Sequence, residues 1–351
     1  MTALPNEIPA LVFDWGDTLM KVFPEYDGAM VDWPQVEATP GALQTLAALN
    51  GSYQLVVATN AVNSNAAQVL AALNRVGLGE YFSHVFTSKE TGHNKPDPAY
   101  FLRISELINL PSSRLVMVGD DLYVDMVGAR QAGWSTIWLN PASSACAGGL
   151  PLHNAEITSL TQLPQALNNL SLPDFQTCLG WLQEQGTSSL LLLHVQMVAA
   201  CAYRLAERLR AAGEDVDPVL AHRGGLLHDL AKLSAKYTQP SHNHGTYAAK
   251  LLRQKNQPAL AEIAERHLLF SMLGDGPAPR TWEEKLVFFA DKLVEGAHIV
   301  SIQNRLEALH QRYPADAATM QSCLPLLLQM QAELCERLHL TPTEMLALLR
   351  E

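Results

Sequence analysis

Cysteine is scarce and poorly placed for cross-linking. The 351 residues hold five (Cys146, Cys178, Cys201, Cys323 and Cys335), odd in number, widely spaced and without a CxxC pair. That excludes a disulfide framework and a zinc ribbon and predicts ordinary reduced thiols. Basic residues are also in short supply, 24 Lys and Arg against 35 Asp and Glu, for a formal charge of -11. A broad cationic face for nucleic acid is thereby excluded, whereas a local pocket for a small anionic ligand needs only a few groups. Long apolar runs are missing too. The greasiest stretch, Leu190 to Val195, is interrupted by His194, Gln196 and Arg204, well before the ~20 residues needed to cross a bilayer. It predicts a buried globular helix and no membrane partner. The opening MTALPNEIPALVFDW has no basic segment ahead of an apolar stretch, so the expected compartment is the cytoplasm. No internal repeat of useful length is present.

What is present is enough apolar text for two cores: 48% of the residues are hydrophobic, and the length exceeds what one core usually serves. Between residues 10 and 140 short apolar runs (ALVFDW, YQLVVATN, HVFTSK, RLVMVGDD, STIWLN) alternate with helical text. Unalternating runs of four to six suit strands buried on both faces, with helices as crossovers, so a doubly wound parallel α/β sheet is predicted. Asp14, Thr59-Asn60 and Asp120-Asp121 close several of these runs and should lie along the carboxyl edge of the sheet, where open α/β sheets bind ligands. NPASSACAGG (140–149) reads as a loop, and a last α/β segment reaches about Leu170. From Ser171 onward Leu/Ala-rich text with helical spacing predicts an all-α second domain, giving boundaries of 1–170 and 171–351.

Ligand-capable residues recur inside that second, apolar text: His194, the pair His228-Asp229, His244, His267 and Asp291. Imidazoles and carboxylates in such surroundings are costly unless they share a cation. A divalent metal is therefore expected there, with hydrolysis of a phosphate ester or anhydride as its chemistry. His228 and Asp229 are expected to fan apart on one helix, with Lys232 on their face as a mobile charge for phosphate. His242 competes with His244 for its role. Arg223 and Arg266 are candidate phosphate contacts, weighed against a solvated face or an ion pair. The last fifty residues show helices without catalytic content.

The first half resembles the haloacid dehalogenase superfamily over roughly residues 8 to 170, through FDWGDTL (13–19), ATN (58–60), KPDP (95–98) and GDDLYVDMVGARQAG (119–133). The resemblance implies a Rossmann-like fold, Asp14 as nucleophile and Thr59 as donor to the phosphoryl oxygens. It makes Lys95 the cation beside the aspartyl-phosphate, and places magnesium on Asp14, the Gly16 carbonyl, Asp120 and Asp121 or Asp125. The family's acid/base aspartate, two places after the nucleophile, is here Gly16, with Asp17 one place later. The segment between Leu19 and Gly41 is too short for an inserted cap, so a capless site is expected, its lid supplied from elsewhere.

The second half resembles the HD superfamily of metal-dependent phosphohydrolases over about residues 186 to 300, through the histidine of LLLLHVQ, GGLLHDLAKL, HNHGTY, ERHLLF and VFFADKL. The HG and ERH contexts are similar to those of bacterial symmetrical diadenosine tetraphosphatases, although LLFSMLGDG replaces the Thr-Thr-Gly expected after His267. The resemblance implies one or two ions of iron, manganese, zinc or cobalt on His194, His228, Asp229, His244, His267 and Asp291, with Asp229 bridging. Together the halves imply a phosphohydrolase for a nucleotide-type ester or anhydride at the HD site, with the first half as a phosphomonoesterase. The alternative is an HD nucleotidase or nucleotide sensor whose first half only binds phosphate.

Overall fold

The structure, a computed structural model, describes residues 9–234, 243–274 and 276–350. His242 lies outside them. The chain divides into two units, one comprising residues up to Ala142 with Leu152–Leu172, the other Ser143–Pro151 with Pro173–Glu351. The loop predicted at 140–149 thus belongs mostly to the second unit, and one boundary at residue 170 is too simple. Gly149, with φ at +65°, sits against the backbone of Ala200 where a Cβ would lie 2.9 Å from the Ala200 Cβ.

In the first unit, strands β1 (Ala10–Phe13), β2 (Gln54–Ala58), β3 (His84–Phe86), β4 (Leu115–Gly119), β5 (Ser135–Leu139) and β6 (Ala155–Ile157) form one sheet in the order β3-β2-β1-β4-β5-β6. Every pairing is parallel. The helices are α1 (Ala42–Leu49), α2 (Ala66–Arg75), α3 (Ser88–Thr91), α4 (Pro98–Leu107), α5 (Gly128–Gln131) and α6 (Leu163–Asn168). Strand β1 is buried along its whole length and β4 likewise, as expected where crossovers cover both faces of a parallel sheet. Leu11, Phe13, Leu55, Val57, Val116 and Val118 anchor one core with α1 and α2. Since β1 and β4 are neighbours, Asp14 and Asp120 emerge side by side at the sheet's carboxyl edge.

In the second unit the helices are α7 (Phe175–Glu184), α8 (Ser189–Ala211), α9 (Pro218–Leu227), α10 (His244–Gln254), α11 (Pro258–Arg266), α12 (Trp282–Asp291), α13 (Ile302–Arg312), α14 (Ala317–Leu338) and α15 (Pro342–Arg350). A two-residue antiparallel pair, β7 (Val294–Glu295) with β8 (His298–Ile299), is the departure from an all-α unit. Helix α8 is long and apolar enough to cross a membrane by length and composition. Here its inner face, including His194, Val198, Ala202 and Glu207, is buried in the unit, and Gly213 at φ +94° follows its end. Helices α8 and α9 meet backbone to backbone, because Gly225 has no Cβ where one would lie 2.5 Å from the Ala199 Cα.

Two candidate catalytic sites

At the sheet edge, Lys95 Nζ bridges two carboxylates, 2.5 Å from Asp14 Oδ1 and 2.6 Å from Asp125 Oδ1. Its side chain and that of Asp125 are almost wholly buried. Burial alone would lower the lysine's pKa, but the Asp14 and Asp125 charges raise it above the ordinary value; the ammonium is thus a fixed internal cation. Asn60 holds Lys95 in place from both sides of its peptide, donating from Nδ2 to the Lys95 carbonyl (2.8 Å) and accepting the Lys95 N–H at Oδ1 (2.9 Å). Thr59 is buried beside it, with its carbonyl accepting the Tyr100 hydroxyl at 3.2 Å.

Asp14, Asp120 and Asp125 bring carboxylate oxygens within 4.8 Å of one another, a set that could hold a cation. Gly119 permits it, because a Cβ there would stand 2.2 Å from Asp125 Oδ2. Burial pushes the Asp120 carboxyl up to about 6, against the hydrogen bond it accepts from Thr18 Oγ1 at 2.7 Å, and burial lifts Asp125 to about 7 despite Lys95. Such reluctance to ionise is what a neighbouring divalent ion would relieve. Asp121 is not in this cluster. It is exposed, and its Oδ1 accepts the backbone N–H groups of Tyr123 and Val124, both at 2.8 Å, capping the wide turn Leu122–Val127 that aims Asp125 inward. The Gly16 carbonyl accepts the Thr18 N–H at 2.6 Å, leaving one lone pair for an ion. Asp17 sits in a turn at φ +52° and accepts the Val22 N–H at 2.9 Å.

These groups border a cavity of about 370 Å³, whose wall includes Val22, Gly28, Met30 and Trp33. The segment too short for a cap is therefore still a strap along the site. Tyr26 packs on Phe23 and Trp33, and Arg75 donates to the carbonyls of Val31 (2.9 Å) and Trp33 (2.7 Å), fixing the strap to α2.

In the second unit, His194 from α8, His228 and Asp229 after α9, His244 opening α10, His267 after α11 and Asp291 ending α12 converge. His194 Nε2 is 3.0 Å from Asp291 Oδ1, His228 Nε2 is 3.4 Å from Asp229 Oδ2 and 3.9 Å from Asp291 Oδ1, and His244 and His267 Nε2 are 3.0 and 3.4 Å from Asp229 Oδ1. The helix α9 stops at Leu227, so the His228-Asp229 pair lies in a turn and not, as expected, on a helix. That turn lets the adjacent side chains reach one centre. Lys232 Nζ still meets Asp229 Oδ2, at 2.5 Å.

The tautomers decide what the centre can hold. Each of three Nδ1 atoms faces a backbone carbonyl, His194 that of Gly296 (3.2 Å), His228 that of Gly225 (2.7 Å) and His267 that of Ala264 (2.6 Å). A carbonyl only accepts, so each of these Nδ1 atoms carries a proton, and Nε2 is the nitrogen left facing the two carboxylates. His228 Nε2 and Asp229 Oδ1 are buried and lack a hydrogen-bond partner of ordinary geometry. An Nε2 facing a carboxylate calls for a shared proton or a metal cation between them. The 3.0–3.9 Å separations are close to the edges, about 3.0–3.4 Å, of an octahedron or tetrahedron of ligands around an ion at about 2.1 Å. Two ligand sets, His194-His228-Asp291 and His228-Asp229-His267, bring one ligand atom from each residue within 4.8 Å of the others. Burial pushes the His267 imidazole down to about 4, partly offset by Asp229, which keeps its ring neutral. Burial opposes ionisation of Asp229 and Asp291, but His228 with Lys232, and Lys292 with His194, hold both carboxyls well below the usual range.

A family model for haloacid dehalogenase-like hydrolase matches residues 13–133, and one for the HD domain matches residues 191–296. The chain thus carries a haloacid dehalogenase-like hydrolase domain followed by an HD domain. Among similar curated proteins, the glyceraldehyde 3-phosphate phosphatase of Pyrococcus furiosus is 32% identical over 134 residues, 37% of this chain and 53% of that protein. The pyrimidine 5'-nucleotidase YjjG of Escherichia coli is 35% identical over 29% of this chain and 44% of its own. An uncharacterized protein of Methanocaldococcus jannaschii is 34% identical over 34% of this chain and 75% of its own. The chain thus spans about half the length of the first two.

Two residues of the HD site escape sequence reasoning. Lys292 is buried, donating to Asp291 Oδ2 and to the His267 carbonyl (3.0 Å), and Arg305, from the supposedly inert last fifty residues, lies 3.5 Å from Asp291 Oδ1. Lys292 had a signal in its place in the ADKL string; Arg305 had none. In the haloacid dehalogenase-like half, Asn60, expected at the sheet edge, acts through the backbone of Lys95. Conversely, Arg223 is fully buried and bonds the carbonyls of Pro173 and Pro151, both at 3.0 Å, and Arg266 pairs with Glu262 at 2.7 Å; both are structural.

Proposed function

We propose that the HD centre is the main hydrolytic site and cleaves a nucleotide-type phosphoester or phosphoanhydride with one or two divalent ions, while the haloacid dehalogenase-like site acts as a phosphomonoesterase that removes a terminal phosphate. The carrying observation is the set of imidazole Nε2 atoms converging on Asp229 and Asp291. The donor set of imidazole and carboxylate suits iron, manganese, zinc or cobalt, and the all-oxygen trio Asp14, Asp120 and Asp125 suits magnesium. A divalent ion at the HD centre supplies charge neutralisation and an acidified water. Asp229, whose Oδ2 faces His228 and whose Oδ1 faces His244 and His267, is the bridging group, and Lys232, partly exposed, is the charge available to a phosphate oxygen. At the other site Asp14 is the nucleophile, Thr59 orients the phosphoryl oxygens and Lys95 balances the charge on Asp14.

The nucleotide preference draws on the Escherichia coli nucleotidase and on the HG and ERH contexts. It is tested by elemental analysis of the purified protein followed by phosphate release across mononucleotides, dinucleoside polyphosphates and cyclic phosphates. Metal-free protein whose activity survives Asp229→Ala, or release from sugar phosphates alone, would move the chemistry away from the HD centre. A nucleotide sensor with a silent first half draws its support from Gly16; a ligand-induced thermal shift without turnover in Asp229→Ala protein would favour it.

A further inference from the structure

Among the described residues, the cavity beside Asp14 offers no side chain free to protonate a leaving group once a magnesium ion keeps Asp14, Asp120 and Asp125 ionised. Among its described lining residues are five carboxylates, but no histidine, cysteine, tyrosine or glutamate. Each carboxylate is already an acceptor. Asp14 and Asp125 take Lys95, Asp120 takes Thr18, Asp121 takes two backbone N–H groups, and Asp17 takes the Val22 N–H. The Thr59 and Ser64 hydroxyls can donate hydrogen bonds but are too weakly acidic to give up a proton, and the Lys95 ammonium is gripped between two anions. Two places after Asp14 stands Gly16, where a Cβ would meet only Val22 Cγ2, at 3.0 Å. A side chain there would need the exposed Val22 to give by a few tenths of an ångström, and glycine leaves the position without any acid.

Resting on the phosphomonoesterase reading of this site, we infer that it takes phosphoryl groups only from leaving groups that depart as stable anions, and that the aspartyl-phosphate it forms is long-lived. In the first step an Asp14 oxygen bonds to phosphorus while the bond from phosphorus to the leaving oxygen breaks. The electron pair goes with that oxygen, and no proton moves. Acyl phosphates, phosphoanhydrides and phenolic esters meet this condition, because carboxylate, phosphate and phenolate need no protonation to leave; alkoxides do not. In the second step water attacks phosphorus, the bond to Asp14 breaks and inorganic phosphate leaves, with the water proton passing to solvent. The same missing carboxyl would have served as base there, so this step is slow and the covalent state accumulates.

The test uses full-length protein with magnesium, both wild type and Asp229→Asn, given acetyl phosphate, p-nitrophenyl phosphate or glycerol 2-phosphate. Rapid-quench kinetics and intact mass are read together. The expected result is a burst approaching one phosphoryl group per chain from acetyl phosphate, a matching mass increase that Asp14→Asn abolishes, and glycerol 2-phosphate turnover about 100-fold or more below that of p-nitrophenyl phosphate, the usual worth of general acid catalysis. Gly16→Asp should raise the alkyl ester rate about tenfold or more and shorten the covalent state, whereas Gly16→Ala, the steric control, should not. Equal rates for alkyl and acyl substrates, an adduct that persists in Asp14→Asn, or equal effects of the two Gly16 variants would overturn the inference. No adduct and no phosphate from any of the three substrates would instead bring down the phosphomonoesterase reading, and the inference with it.

Discussion

The two sites solve the same electrostatic problem in opposite ways. Both gather carboxylates that would repel one another. Around Asp14 and Asp125 the chain supplies its own buried cation, Lys95, while around Asp229 and Asp291 it offers bare imidazole nitrogens, with Lys232 and Lys292 on the outer carboxylate oxygens. A cluster neutralised from within can fold and persist without an ion. The HD cluster also keeps cations on its carboxylates but turns several imidazole nitrogens toward them, so an ion bound there would couple its stability to its chemistry. The difference teaches that the HD centre should hold metal through purification while the other exchanges it freely.

The sharpest way to break this contrast is to remove Asp229, which His228, His244 and His267 all approach. Asp229→Ala should lower HD-dependent phosphate release at least about 100-fold, beyond the usual cost of losing an outer-shell partner, and should reduce bound metal by elemental analysis. Retention of full metal content would show that the lone pairs are satisfied otherwise. Next in size is Lys95→Met, which strands Asp14 and the buried Asp125 without a counter-charge. Breaking such a pair costs on the order of 3–5 kcal/mol, read by denaturant unfolding, with Asp14→Asn expected to recover part of the loss. No comparable collapse is expected from Lys232→Met, whose partly exposed ammonium leaves Asp229 its imidazoles.

Acid separates the two sites further. The folded-state pKa of His267 is depressed to about 4, so its contribution is present above the unfolded value of about 6.5 and is lost as pH falls from there toward 4. His267 alone accounts for a loss on the order of 3 kcal/mol over that window in metal-free protein, opposed in the other unit by the raised Asp120 and Asp125, and loaded protein should release its ion there, measured by chelator-coupled absorbance. Asp229 and Asp291, also depressed, add losses at still lower pH. The smallest effect sharpens the role of the strap: Arg75→Ala, removing donors to Val31 and Trp33, should cost about 1 kcal/mol and raise KM at the haloacid dehalogenase-like site several-fold with little change in kcat.

Much of this was legible because its signals are local. Strands buried on both faces are uninterrupted apolar runs, and a polar residue ending one lies on the sheet edge, which is how Asp14, Thr59 and Asp120 could be placed together. The histidines were legible because apolar helices tolerate them poorly. What failed was what depends on a partner distant in sequence. Nothing in FPEYDGAMVDW announces an anchor in Arg75, and Asp121 and Asp125 differ only in which one caps the turn. The helix expected through His228 and Asp229 ends at Leu227, two residues short of Asp229, and the pair reaches the centre from the turn that follows.

The contact between Gly225 and Ala199 has a last consequence. It fixes how closely α8 and α9 cross, and these helices carry His194 and lead to His228, while the Gly225 carbonyl itself orients the His228 ring. That glycine therefore works as a gauge for ionic radius. A bulkier side chain there would wedge the helices apart, widen the cage and tilt its selectivity from compact ions toward larger ones, without touching a single ligand.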